Sequence, residues 1–139
     1  MSTTHINSEE VLVERKAEDV FKFLSDLRNY KALMPEDVVQ FEADEQVAKL
    51  NLKGLGTFEI HLGELEKDKR IVLIPKGKIP FSFNIHWNLI AQNDHTTVSG
   101  VVNAELNVFM KMMAESKLKE FVASQASKMK AHIENGIPI

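Results

Sequence analysis

Residues 81–89, Phe81-Ser82-Phe83-Asn84-Ile85-His86-Trp87-Asn88-Leu89, alternate apolar and polar side chains without a break. A two-residue period places every second side chain on one face of a β-strand, so Phe81, Phe83, Ile85, Trp87 and Leu89 share a buried face. Asn93-Asp94 follows as a tight-hairpin pair. Val98, Gly100, Val102, Ala104 and Leu106 then resume the alternation. Upstream the same period runs through Val39-Phe41-Ala43, Leu50-Leu52, Phe58-Ile60-Leu62 and Ile71 to Ile74. Turns fall at Asp44-Glu45, Lys53-Gly54 and Asp68, and Pro75-Lys76-Gly77 begins the connection to residue 81. Six strands joined this closely make an antiparallel meander, because parallel pairs need long crossovers.

Outward from the meander the period changes. Residues 5–16 read as one further strand, with Val11 and Val13 alternating against Leu12 and Glu14, which leaves its buried face undecided. Val20, Phe21, Leu24 and Leu27 then recur at helical spacing, with Glu18 and Asp19 in the first turn where the helix dipole favours negative charge. Asp26 is placed to cap a second short helix carrying Tyr30, Leu33 and Met34, which Pro35 stops. At the other end, residues 108–135 form one long helix with the stripe Met110, Met113, Ala114, Leu118, Phe121, Val122, Gln125, Met129 and Ile133. Gly136 and Pro138 terminate it. The expected fold is α+β: a curved seven-stranded antiparallel sheet around a long C-terminal helix, with two short helices between strands 1 and 2.

Seven strands at ~4.8 Å make a sheet roughly 30 Å wide, whereas a helix is about 10–12 Å across. One helix cannot cover a flat sheet of that width, so the sheet must curl around it. A curved sheet and a straight rod mesh incompletely, which predicts a cavity between them. Its expected lining is Phe58, Ile60, Phe83, Ile85, Trp87, Val102 and Ala104 from the strands, with Met110, Met113, Leu118, Phe121 and Gln125 from the helix. Met adapts to irregular space, and four of the six methionines lie in the last helix. Taken singly, each of these side chains also suits an ordinary core.

Composition excludes several classes. The 139 residues are 44% hydrophobic and 27% charged, as in a soluble globular protein. Net charge is −3, and only Arg15, Arg28 and Arg70 supply guanidinium groups, so no basic footprint points to nucleic acid. Without cysteine there are no disulfides, thiolate metal sites or cysteine nucleophiles. The first residues carry no signal pattern and no apolar run approaches 18 residues, so stable membrane insertion is not expected and a cytoplasmic protein is.

Around the first helices the sequence resembles the START-like, or SRPBCC, superfamily with its helix-grip fold. The residues carrying the likeness are Val20-Phe21-Lys22-Phe23-Leu24-Ser25-Asp26, then Tyr30 and Met34-Pro35, after a strand ending at Arg15-Lys16. The order of elements matches over nearly the whole chain, which implies one such unit over residues 1–139. The resemblance implies a hydrophobic pocket between sheet and C-terminal helix, of the kind that holds lipids, isoprenoids or polyketides. It carries over no catalytic residue and no cofactor, and fold alone does not fix function.

The polar residues narrow the chemistry further. His5, His61, His86, His95 and His132 show no close metal-ligand spacing. His61 and His86 fall opposite in phase to the apolar strand faces, while His132 complements the dipole in the last helical turn. There is no GxSxG, and Gly54-Leu55-Gly56 precedes no helix, so it reads as a hairpin turn. Gln125 stands in the middle of the apolar helical stripe. Burying its amide without partners costs roughly 1–3 kcal/mol, so it either bonds a neighbouring strand or serves a ligand. Asn84, Asn88, Asn103 and Glu105 reach the pocket only if the strand phase is inverted. The leading expectation is a non-enzymatic carrier of a small hydrophobic molecule. The alternatives are a polyketide cyclase- or dehydratase-like enzyme using His86 or Glu105, and a co-chaperone-like interaction module with a filled core and an exposed apolar patch.

Overall fold

The computed structural model of the protein describes residues 2–8, 10–34, 36, 38–53, 56–78 and 82–134. Eight strands alternate with three helical pieces in the order β1 (Ser2–Asn7), β2 (Val11–Val13), α1 (Ala17–Leu24), a 3-10 helix (Leu27–Leu33), β3 (Val38–Ala43), β4 (Val47–Leu52), β5 (Gly56–Glu66), β6 (Arg70–Lys76), β7 (Ser82–Gln92), β8 (His95–Leu106) and α2 (Val108–Glu134). The strands form one antiparallel sheet in the order β1-β8-β7-β6-β5-β4-β3, with β2 also on β8.

The alternating stretch became the centre of this sheet. β7 and β8 pair without a register shift from Ser82↔Glu105 to Gln92↔His95. Phe83, Ile85, Trp87 and Leu89 are buried, while Asn84, His86 and Asn88 between them are half-buried on the other face. The Asn93-Asp94 turn forms as expected, with Asn93 at φ 57°, a left-handed conformation that Asn tolerates. Phe81 and the Gly54-Leu55 pair lie outside the described residues.

The sheet has eight strands rather than seven because the first strand is broken. Asn7 pairs with Val101 and Val11 with Val98, so four residue steps face three on β8. Ser8 bridges the break, its N–H donating to Gly100 O and its Oγ accepting from Gly100 N, both at 2.8 Å. One extra residue switches the inward phase. Thr4 and Ile6 are buried before the break and Val13 after it, while Leu12 is exposed.

Two other expectations needed correction. The second short helix is 3-10 rather than α, though Asp26 caps it as anticipated, accepting from Arg28 N at 3.0 Å. Pro75-Lys76 belongs to β6, with Pro75 opposite Ile60. The proline fits there because β6 and β7 pair only as far as Leu73↔Ile85, so its missing N–H breaks no ladder on that side.

No single helix covers the sheet, in line with the width argument. α2 packs over β8, β1 and β2, α1 over β6 to β8, and the 3-10 helix over β3 and β4 and against α2. Asn107 caps the start of α2 by accepting from Met110 N at 2.8 Å. Its far end is tied down by Lys128 Nζ donating to Met34 O and Lys130 Nζ to Leu12 O, each at 2.8 Å. Glu134 accepts from Glu14 N at 2.9 Å. Gly136 and Pro138 lie outside the described residues.

Candidate ligand-binding site

The inward faces bring the expected residues together. Phe58 and Ile60 from β5, Phe83, Ile85 and Trp87 from β7, and Val102 and Ala104 from β8 join Leu118 and Phe121 of α2 in one buried cluster. Met110 packs half-buried against it. The Met113 side chain lies outside the described residues. Where the β6–β7 ladder has ended, Phe58 and Phe83 meet edge to face with ring centroids 6.2 Å apart.

Gly100 sets how closely α2 approaches the sheet. A Cβ there would lie 2.6 Å from Val122 Cγ2 and 2.9 Å from Trp87 Cζ3. Val122 therefore rests on the backbone of β8 beside the Trp87 ring, and Gln125 follows less than one turn further along α2.

Gln125 is fully buried, and neither Oε1 nor Nε2 has a hydrogen-bond partner. Of the two readings open from sequence, a bond to a neighbouring strand is absent. Trp87 Nε1 is also buried without a partner. It faces the Tyr30 hydroxyl out of hydrogen-bond geometry, while that hydroxyl donates to Leu24 O at 2.8 Å. Burial pushes the Tyr30 hydroxyl far above its ordinary pKa, so it stays protonated. Buried Ser8 and Thr96 are satisfied by contrast, Ser8 through Gly100 N and Thr96 Oγ1 by Arg15 O, each at 2.8 Å. Sequence reasoning flagged Gln125 but missed Trp87, because an indole on a strand reads as core and its N–H has no periodic signature.

The candidate acids and bases stand elsewhere. Glu105 is exposed and His86 half-buried, both on the outer face of the sheet. Desolvation first, and then Arg70, hold His86 below its ordinary value. His61 pairs with Glu59 at 2.9 Å. His5, Asn103 and Asn84 form a hydrogen-bonded row across three outer-face strands. His132 lies against Phe23 with ring centroids 5.8 Å apart. Among the described residues no group of three His, Asp or Glu could hold a metal ion, and no helix is long and apolar enough to cross a membrane.

Two grooves open beside the cluster. One of about 320 Å³ lies at the strand break, between Ser8 and Val11 and the Ala123, Ala126 and Ser127 flank of α2. Another of about 400 Å³ is polar, bounded by Thr3, Ser82, Asn84, Asn103 and Glu105. Neither is lined by Trp87, Phe121 or Gln125.

A sequence model of the family described as CoxG of carbon monoxide dehydrogenase matches residues 10–137. No protein of curated function matches the sequence. Among solved structures the chain is similar to the Zhui aromatase/cyclase of a Streptomyces strain, at 14% identity and a TM-score of 0.77, covering 99% of this chain and 97% of that one. It is similar to norcoclaurine synthase of Thalictrum flavum, solved with dopamine and hydroxybenzaldehyde, at 11% identity and a TM-score of 0.76 over 99% and 90% of the two chains. It also resembles the two-domain aromatase/cyclase BexL, at 14% identity and a TM-score of 0.72, covering 96% of this chain and 47% of that one. At such identities these likenesses concern the fold, which is the START-like helix grip.

Proposed function

The chain belongs to the CoxG family of carbon monoxide dehydrogenase proteins, and from that membership we propose that it binds and carries a small hydrophobic molecule between the sheet and α2. The observation that carries this reading is Gln125, a fully buried amide with two unpartnered hydrogen-bonding atoms inside an apolar cluster. A protein core gains nothing from such a group, whereas a binding site uses one or two polar contacts to orient an apolar guest. The solved relatives add support, since norcoclaurine synthase holds two small aromatic molecules on the same fold. Affinity would come from burying ligand carbon, at ~25 cal/mol per Å² of apolar surface.

A cyclase-like reaction in this space needs an acid or base facing the ligand. His86 and Glu105 stand on the outer face, which favours carriage over catalysis. An interaction role has an observation of its own in Val108, Phe109 and Met112, which are 71–81% exposed at the start of α2. That end is the natural contact for a partner and leaves the interior to the ligand. The carrier reading is tested by gentle purification, organic extraction and mass spectrometry of the extract, alongside thermal unfolding with a panel of lipids and polyphenols. A co-purified hydrophobic molecule, or a raised melting temperature with a panel member, is expected. An empty protein that no compound stabilises overturns the reading.

A further inference from the structure

We propose that the interior selects an uncharged amphiphile whose polar head is a hydroxyl group, such as a long-chain or isoprenoid alcohol or a phenol, over a fatty-acid carboxylate. This inference rests on the carrier reading above and adds the chemistry of the head group.

Three observations converge on it. Gln125 leaves both an acceptor, Oε1, and a donor, Nε2, unpartnered at zero exposure, so either orientation of the amide makes the same demand. Trp87 adds a second unpartnered donor. It stands on the same side of the core, since Val122, on the turn of α2 that leads to Gln125, lies against both Gly100 and the Trp87 ring. Among the described residues no buried side chain carries a charge, the buried polar ones being Thr4, Ser8, Thr96 and Gln125. The cations of the neighbouring helical turns face outward and are engaged, Lys128 with Met34 O and Lys130 with Leu12 O and Glu134.

The three candidate heads answer this environment differently. A hydroxyl donates its proton to Gln125 Oε1 and accepts from an amide or indole N–H, satisfying an acceptor and a donor together. A carbonyl accepts only, and Oε1 remains orphaned. A carboxylate accepts only and also brings a charge into a region with no counter-ion, where desolvation is opposed by nothing. An alkyl chain without a head leaves all three atoms unpartnered.

Trp87 is the only tryptophan in the chain, so its fluorescence reports directly on the site. Titrations of the full chain at pH 8 with decan-1-ol, decan-2-one, decanoate and decane-saturated buffer compare the heads on one tail. Decan-1-ol is expected to bind about tenfold or more tightly than decanoate, and several-fold more tightly than the ketone and the alkane. In Gln125→Leu, and in Gln125→Met as a second apolar variant of similar bulk, the preference for the alcohol over the alkane should fall to near unity while alkane binding persists. Circular dichroism confirms that each variant is folded. Decanoate binding as well as the alcohol, or a preference unchanged in both variants, overturns the inference and leaves the carrier reading standing. Binding of none of the four probes overturns both.

Discussion

Two residues at the centre of the molecule show opposite compromises. Gln125 is a polar group where packing alone would favour leucine. Its replacement by leucine removes two buried unsatisfied atoms, and is expected to stabilise the unliganded protein by about 1–3 kcal/mol in urea unfolding. A loss of stability instead would mean that the amide has a structural partner. Gly100 is a small residue where strand propensity disfavours glycine, and it is there because Val122 and Trp87 occupy the space of a Cβ. Gly100→Ala is expected to cost about 1–3 kcal/mol through overpacking, and to shift the Trp87 emission as α2 is pushed away.

Among the elements, the break between β1 and β2 and the cap at Asp26 have consequences that separate them from ordinary surface features. The extra residue at the break turns Val13 inward and Leu12 outward. Val13→Ala should therefore lose about 2 kcal/mol of buried apolar surface, whereas Leu12→Ala should stay within about 0.5 kcal/mol of the parent. Equal costs would contradict the phase change. Asp26 holds the 3-10 helix through Arg28 N and pairs with Arg28 Nη2 at 2.7 Å. Removing the cap in Asp26→Ala is expected to cost about 1 kcal/mol at neutral pH. Its hydrogen bonds to Arg28 hold the Asp26 carboxyl below its ordinary 3.8. Asp44, bonded by the N–H groups of Gln46 and Val47, and Glu134, bonded by Lys130, are lowered likewise. A depressed native value means stability fully present above the unfolded pKa and lost as pH falls through the native one. Unfolding midpoints should thus decline below about pH 4, less steeply in Asp26→Ala than in the parent.

At the scale of the whole molecule, one sheet is shared among three helical pieces, each covering strands the others leave. The described interior is held by apolar burial, with unpartnered hydrogen-bonding atoms at Gln125 and Trp87. A ligand that satisfies them binds only the folded chain and stabilises it by mass action. At a hundredfold excess over Kd the gain should be about 2.7 kcal/mol, read as a rise in melting temperature that grows with ligand concentration. A melting temperature indifferent to concentration for a compound shown to bind would contradict binding inside the fold.

Local periodicity was enough to determine the strands, the long helix, their antiparallel order and the buried phase of β5, β7 and β8. Neighbouring residues such as Phe83, Asn84 and Ile85 carry that information within a few positions. The candidate lining followed from the same alternation, which is why Phe58, Trp87 and Phe121 gather in one cluster. The break after Asn7 was not legible, because it depends on Ser8 meeting Gly100 across 92 residues of chain. The 3-10 winding after Asp26 and the strand position of Pro75 likewise depend on what each backbone packs beside. The sequence could place Gln125 on an apolar stripe, but only the tertiary structure decided that no strand reaches its amide. A hydrogen bond is made or missed over a few tenths of an ångström, and that distance is set by how the sheet curls around the helix.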